Sequence, residues 1–159
     1  FMSVQKVFEY LSGYDLHRKI RVLNESSATV ALAAQALGVE EARIAKTLSF
    51  EKPDGCILLV AAGDARIDNA KFRAAFGIKA RMLNKDQVEA LTGYAAGGVC
   101  PFDNPEGAKV YLDESLKRFQ TVFPACGSDN SAIELDLPTL EKVSHAQGWV
   151  NVCKDYPAE

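Results

Sequence analysis

The feature that most constrains the fold is an uninterrupted apolar run at residues 56–62, Cys-Ile-Leu-Leu-Val-Ala-Ala. A run of this length between turn signals is typical of a strand that is buried on both faces. It follows a second strand-like segment at residues 44–50, and Pro53-Asp54-Gly55 between the two favours a turn. We therefore predict a β-hairpin whose second strand lies inside a sheet, with other elements covering both faces.

Helices and strands are predicted along the rest of the chain from hydrophobic spacing and from capping residues. The predicted helices lie at residues 4–11, 30–37, 69–76, 85–91 and from Pro138 onward, with Ser26 or Ser27, Asp68 and Asn84 as caps. The other predicted strands lie at residues 17–23, 78–83, 108–112, 121–125, 132–136 and 149–153. Because strands occur both in hairpins and between helices, this order favours a mixed α/β sheet or barrel over a regular doubly wound fold.

Length and charge limit the classes of protein that fit. The 159 residues suit one domain, which we place at residues 2–159, and the net charge of −3 excludes a uniformly basic nucleic-acid coat. A local basic patch is still compatible with that charge, and two groups of residues could form one: Arg18, Lys19 and Arg21, or Lys71, Arg73, Lys79, Arg81 and Lys85. No apolar stretch is long enough to span a membrane and no secretion signal is visible, so we expect a cytoplasmic protein with four reduced cysteines.

Lys46 is the residue that least fits an ordinary core. Alternate residues of a strand share a face, so Lys46 falls in one row with Ile44 and Leu48. A lysine in such a row can snorkel to solvent or discourage edge pairing, and it can equally present a lone cation in a pocket wall. Two further segments admit both a structural and a functional interpretation: the glycine- and proline-rich loop at residues 93–107 and the turn at residues 125–128.

Residues for triad or metal chemistry are scarce. The two histidines, His17 and His145, have no partner at catalytic or metal-ligand spacing, and no serine or cysteine occupies a nucleophile elbow. An enzyme with this sequence must therefore work mainly by positioning and electrostatics. Two hypotheses of a different kind stay open: a thiol-dependent protein that uses Cys100 or Cys126, and a small-nucleotide binder whose phosphate meets Lys46.

Three short motifs stand in a known order. They are Arg-Ile-Ala-Lys-Thr-Leu at residues 43–48, Gly-Gly-Val-Cys-Pro at residues 97–101, and Cys-Gly-Ser at residues 126–128, which leads into Ile-Glu-Leu at residues 133–135. In order and spacing they resemble the YbaK-like aminoacyl-tRNA deacylases, which are related to the editing domain inserted in bacterial prolyl-tRNA synthetases. The likeness covers nearly the whole chain, from Val4 to Val152.

The resemblance implies an α/β fold with a mixed, mostly antiparallel, barrel-like sheet and flanking helices. It implies hydrolysis of the ester of a mischarged aminoacyl-tRNA, with a small amino acid on tRNA for proline as the expected substrate and with no metal or other cofactor. The expected partners are the 3′ end of that tRNA and prolyl-tRNA synthetase, and no membrane is involved. The alternative is a non-catalytic module of the same fold that binds a tRNA 3′ end or a nucleotide.

The same resemblance implies two groups of site residues. The expected catalytic residues are Lys46, Gly98, Gly127 and Ser128. The expected substrate-binding residues are Thr29, Arg66, Val99, Cys100 and Pro101. The chain departs from the family pattern at Asp103, where many relatives have glycine, and at Ala132, where some relatives have an acid.

Overall fold

The computed structural model describes residues 2–157, which form five α-helices and ten β-strands. The helices are α1 (Met2–Ser12), α2 (Val30–Leu37), α3 (Asn69–Phe76), α4 (Lys85–Thr92) and α5 (Leu137–Ser144). The strands are β1 (Arg21–Val22), β2 (Ile44–Lys52), β3 (Gly55–Ala62), β4 (Arg66–Ile67), β5 (Ala108–Asp113), β6 (Thr121–Pro124), β7 (Ser131–Ala132), β8 (Leu135–Asp136), β9 (Trp149–Val150) and β10 (Cys153–Lys154). The last two residues of the predicted domain lie outside the described range. None of the helices within that range is long and apolar enough to span a membrane.

Six strands form one curled sheet in the order β8-β6-β2-β3-β5-β9. β2 and β3 form an antiparallel hairpin, whereas β3 pairs with β5, β2 with β6 and β5 with β9 in parallel. Two short antiparallel ladders, β1 with β7 and β4 with β10, complete the strand pairings of the described residues. The predicted hairpin and the mixed α/β class with flanking helices are confirmed.

The core is built around β3, which has a strand neighbour on each side. Residues 56–62 are 0–2% exposed and pack with apolar side chains of α1, α3, α4 and α5. The prediction that this strand is buried on both faces is therefore confirmed. α2 packs in a separate small cluster, where Ala33 and Ala34 meet Ile44 and Phe123.

The predictions were wrong where strands are very short or change partner. Residues 17–23 form a 3-10 helix at His17–Lys19 followed by only two strand residues, and residues 78–83 contain a single bridge from Met82 to Phe50. The segments predicted at residues 132–136 and 149–153 are each interrupted, and their halves pair with different strands. An alternating pattern reports which face is buried, but it does not report which strand lies alongside.

Helix ends follow the capping residues closely. Asp68 and Asn84 cap α3 and α4 as predicted, and the Asn84 cap is a full capping box with Gln87. The cap of α2 is Thr29, whose hydroxyl accepts a hydrogen bond from the Leu32 N–H at 3.1 Å, and the prediction of Ser26 or Ser27 is therefore wrong. The position of the cap matters because Thr29 and α2 form one wall of a cavity.

Candidate active site

A cavity of about 240 Å³ opens beside β2. Its walls come from four parts of the chain: residues 27–30, 33 and 37 in and before α2, residues 44–48 of β2, residues 96, 97 and 99 after α4, and residues 123, 125, 131 and 132. Most of these side chains are small or aliphatic, so few polar groups reach the interior. Sites for drug-sized ligands typically measure about 300–1,000 Å³, so this cavity suits a smaller group.

Lys46 lies in the wall of the cavity and is half-buried. Its ammonium donates to the carbonyl oxygen of Ala65 at 2.5 Å and makes a longer contact of 3.4 Å with that of Gly63. Because an ammonium carries three protons, one stays available to a ligand. Burial lowers the pKa of Lys46 below its ordinary value, and the nearby Asp64 acts in the opposite direction. The structure thus places one held cation at the edge of an apolar cavity.

The turn at residues 63–65, which receives this ammonium, is fixed on two sides. Asp64 accepts two hydrogen bonds from the Arg118 guanidinium, at 2.6 and 2.9 Å, and these bonds hold the pKa of Asp64 below its ordinary value. On the other side, a Cβ at Gly63 would lie 2.7 Å from a methyl carbon of Val30, a residue of the cavity wall. The position of the ammonium therefore depends on a turn that is packed against the cavity.

The backbone of Thr47 faces a gap in the sheet. β6 pairs with β2 only as far as Ala45, and the segment at residues 81–83 begins its hydrogen bonds at Ser49. Backbone groups of alternate strand residues point to the same side, so the Thr47 peptide points between these two neighbours. The Thr47 hydroxyl is buried and has no hydrogen-bond partner within the described range. Thr47 thus contributes to the cavity wall a backbone group that neither neighbouring segment covers, whereas its hydroxyl is enclosed on the strand face that also carries Ala45 and Ser49.

Gly98 and Gly127, two of the expected catalytic residues, are in close backbone contact. A Cβ at Gly98 would lie 2.6 Å from the carbonyl oxygen of Gly127, and Gly127 has a positive φ of 96°. The Gly98 N–H already donates to the carbonyl oxygen of Ala95 at 2.8 Å. The geometry gives both glycines a packing role that joins two loops, whereas Gly97 is the glycine that lines the cavity.

Ser128, the fourth expected catalytic residue, is bound within its own turn. Its hydroxyl donates to the side-chain oxygen of Asn130 at 2.7 Å and lies 2.9 Å from the Ser131 hydroxyl. Ser131 in turn accepts from the Cys126 N–H, is 1% exposed and lines the cavity. Ser128 is therefore one hydrogen bond removed from the cavity wall that Ser131 reaches.

The expected substrate-binding residues divide into two sets. Thr29 and Val99 line the cavity. Cys100 and Pro101 are buried, Arg66 is exposed in β4, and these three are not among the residues of the cavity wall. The loop motif at residues 97–101 thus contributes the Val99 side chain to the cavity wall, while Cys100 and Pro101 are buried outside that wall.

The cysteines are poorly suited to thiol chemistry. All four are unpaired and buried. Burial raises the pKa of the Cys100 thiol to about 11 and raises that of Cys126 well above its ordinary value. Because the thiolate is the reactive form, these two residues do not favour the thiol-dependent hypothesis.

Both departures from the family pattern have a structural explanation. Asp103 has a positive φ of 53°, a backbone conformation that glycine adopts most easily, and its carbonyl oxygen accepts a hydrogen bond from Lys6 at 2.8 Å. Ala132 lines the cavity, so the wall is apolar at the place where an acid would introduce a charge.

Thr47 and Ser131 are the polar cavity residues that the sequence patterns miss. Thr47 shares a strand face with the buried residues Ala45 and Ser49, and Ser131 belongs to a polar turn, so neither departs from its surroundings. The one sequence signal that points to Thr47 is its position next to Lys46 in the same strand.

Comparisons with known proteins identify the family of this chain. The family model described as "Aminoacyl-tRNA editing domain" matches residues 24–143, a range that contains every residue of the cavity wall. The uncharacterized protein YwhH of Bacillus subtilis (strain 168) is 51% identical over 156 residues, which cover 98% of this chain and 99% of YwhH.

Two more distant relatives carry functional names. "Putative Cys-tRNA(Pro)/Cys-tRNA(Cys) deacylase EbsC" of Enterococcus faecalis (strain ATCC 700802 / V583) is 29% identical, and the match covers 78% of this chain and 77% of EbsC. A solved structure, "Crystal structure of a putative trans-editing enzyme for prolyl tRNA synthetase", has a TM-score of 0.86 at 29% identity and covers 96% of this chain and 97% of that one.

Proposed function

The chain belongs to the aminoacyl-tRNA editing domain family, and on that premise we propose that it is a trans-editing hydrolase that removes a small amino acid from mischarged tRNA for proline. The observation that carries the proposal is the cavity of about 240 Å³ whose wall contains the held cation Lys46 and, next to it, the Thr47 peptide at the gap in the sheet. The names of EbsC and of the structural relative support tRNA as the substrate and direct attention to the tRNA for proline.

The size and lining of the cavity support a small side chain as the group removed. Alanine, serine and cysteine fit a cavity whose walls include Ala28, Ala33, Ala125 and Ala132. One methylene changes binding by only about 1–3 kcal/mol, which is why synthetases benefit from a second, smaller sieve. The apolar wall at Ala132 favours an uncharged side chain over a charged one.

The proposed reaction is hydrolysis of the ester at the tRNA 3′ end. A water molecule attacks the ester carbonyl carbon, the bond from that carbon to the ribose oxygen breaks, and the products are a free amino acid and a tRNA with a free hydroxyl. In this proposal the Thr47 backbone N–H stabilises the negative charge on the carbonyl oxygen, and the Lys46 ammonium binds the terminal phosphate. The substrate's own amino group or ribose hydroxyl orients the water, so positioning takes the place of a catalytic triad.

A deacylation screen tests this proposal. Alanine, serine, cysteine and proline are each loaded on tRNA for proline, and release of the amino acid is measured with the wild-type protein, with Lys46→Ala and with Lys52→Ala. Lys52 is the matched control because it lies in the same strand and outside the cavity wall. We expect release of at least one small amino acid, with proline retained, and a loss of about 10²–10³-fold in Lys46→Ala alone.

The same screen separates hydrolysis from binding alone. If the wild-type protein binds these tRNAs and releases none of the amino acids, the non-catalytic module is the correct interpretation. If Lys46→Ala is folded and as active as the wild type, the role of Lys46 is wrong. Thermal unfolding of each variant shows whether a loss of activity reflects a loss of folding.

A further inference from the structure

A second cavity, of about 530 Å³, lies near the C-terminal end of the described chain. Its lining residues, which we call the basic cleft, are Lys71, Glu114, Lys117, Arg118, Cys153, Lys154 and Tyr156. Four of these seven residues are cationic and one is acidic, in a chain whose net charge is −3. The cleft is therefore a local concentration of positive charge in a protein whose net charge is negative.

Most of this positive charge is not neutralised within the protein. Arg118 is paired with Asp64, but no ion pair within residues 2–157 involves Lys71, Lys117 or Lys154. All three lysines are exposed, and the Lys71 ammonium donates to the carbonyl oxygen of Cys153 at 3.1 Å. Unpaired cations held around a cavity favour an anionic ligand.

The ladder of β4 with β10 adds a fifth cation, Arg66, in an unfavourable arrangement. Arg66 stands directly opposite Lys154 in this two-residue antiparallel ladder. Like charges at directly opposed positions destabilise a strand pair, and neither residue forms an ion pair in the described part of the chain. An anion that binds both side chains would remove the repulsion.

Aromatic rings accompany the cations. The Lys117 ammonium lies 4.7 Å from the centroid of the Trp149 ring, and the Arg118 guanidinium lies 4.7 Å from that of Tyr156. Cationic side chains interleaved with aromatic rings are typical of surfaces that bind single-stranded nucleic acid. This combination favours a phosphodiester chain with bases over an acidic polypeptide.

The basic cleft is next to the site of Lys46. The carbonyl of Ala65 that holds the Lys46 ammonium immediately precedes β4, and β4 pairs with β10, whose two residues line the cleft. One turn and one two-residue ladder therefore connect the Lys46 ammonium to the cleft, with Arg66 and Lys154 exposed on that ladder.

We propose that the basic cleft binds the phosphodiester backbone of the tRNA acceptor end while the terminal aminoacyl group occupies the cavity at Lys46. This inference rests on the proposed function and adds a second contact surface to it. Lys71, Lys117 and Lys154 bind phosphates, Arg66 joins them at the ladder, and the aromatic rings contact exposed bases. The cleft makes affinity for tRNA depend on salt even though the whole chain is acidic.

The test compares two double variants that change the charge equally. Lys71→Gln/Lys154→Gln removes two cations of the cleft, and Lys85→Gln/Lys142→Gln removes two exposed cations from helices α4 and α5 outside it. The probe is a deacylated tRNA ending in CCA, and its affinity is measured by fluorescence anisotropy from about 50 to about 200 mM salt. Each lost phosphate contact lowers the salt slope by about 1, so over this fourfold range the wild type should lose about 16-fold more affinity than the cleft variant.

The outcomes separate this inference from the proposed function. Support is a lower salt slope in the cleft variant only, together with a raised KM and an unchanged kcat for deacylation. Four results would each overturn the basic cleft as an RNA site. Two concern the salt slope: no difference between the wild type and the cleft variant, or an equal change in the control variant. The other two are competition by a polyglutamate peptide as strong as that by tRNA, and no binding of tRNA by the wild type. If the wild-type protein binds tRNA through the cleft but releases no amino acid, the proposed hydrolysis is wrong and the inference about the cleft still holds.

Discussion

At the scale of single residues, Lys46 and Thr47 are neighbours in β2 with very different surroundings. Lys46 has two carbonyl oxygens close to its ammonium, whereas the Thr47 hydroxyl is buried without a partner in the described structure. An unsatisfied buried hydroxyl costs about 1–3 kcal/mol of stability. Because the hydroxyl is enclosed in the wall, a ligand can satisfy it only if the Thr47 side chain turns toward the cavity on binding.

Thr47→Val tests this trade between stability and activity. Valine has nearly the shape of threonine, so we expect the free energy of unfolding to rise by about 1 kcal/mol and kcat/KM to fall by roughly tenfold. Thr92→Val is the control, because the buried Thr92 hydroxyl donates to the carbonyl oxygen of Val88 at 2.6 Å and is outside the cavity wall. The control should lose stability and keep its kcat/KM. A more stable Thr47→Val with wild-type kcat/KM would show that the hydroxyl does not contact substrate.

At the scale of elements, the turn at residues 63–65 links the hairpin to the site. Its carbonyl oxygens hold the Lys46 ammonium, while Asp64 within the turn is held by the Arg118 guanidinium. The Arg118 side chain is 8% exposed, so the loss of its partner would leave a nearly buried cation unpaired. We therefore expect Arg118 to position the Lys46 ammonium through the turn.

Asp64→Asn tests the ion pair of Asp64 with Arg118 through the pH dependence of stability. The hydrogen bonds from Arg118 hold the pKa of Asp64 below its ordinary value, so the stabilisation is present above that ordinary value and is lost as the pH falls through the folded-state pKa. Urea unfolding should therefore show Asp64→Asn to be less stable by about 2 kcal/mol at neutral pH, with the difference disappearing in acid. A constant difference at every pH would contradict the assigned ion pair.

Sequence patterns predicted the long elements and missed the interruptions between the very short strands. The hairpin of β2 and β3 follows from an apolar run and a turn, both of which are local. The strands β7, β8, β9 and β10 have two residues each, too few for any alternation to be visible. The same limit applies to the site. Lys46 is visible in the sequence because it is a charged residue among the apolar residues of one strand face. The position of Thr47 at a gap in the sheet depends on where the pairing of β2 with β6 and with residues 81–83 ends, and tertiary structure determines those ends.

At the scale of the whole molecule, two hydrophobic clusters of unequal size support the cavity. The main cluster contains β3 and four of the five helices of residues 2–157, and α1 contributes Val7 and Leu11 at 0% exposure. The second cluster holds α2 through Ala33 and Ala34, and the neighbouring Leu32 is 43% exposed. Buried valine and leucine stabilise by about 1.5–3 kcal/mol each and alanine by much less, and the larger side chains of α2, Val30 and Leu37, are only partly buried. We therefore expect α2 to be the wall that opens at the lowest free energy.

Hydrogen exchange measured by mass spectrometry checks this difference directly. Amides of α2 should exchange at least about tenfold faster than those of α1, because a difference of about 1.4 kcal/mol in opening free energy changes the open population tenfold. A non-hydrolysable alanyl-adenosine that fills the cavity should slow exchange in α2 and leave α1 unchanged, since α2 and its cap form one wall and α1 forms none. Protection of α2 equal to that of β3 without ligand would show that the second cluster is as stable as the main core. In that case, substrate would have to enter a cavity whose walls are already rigid.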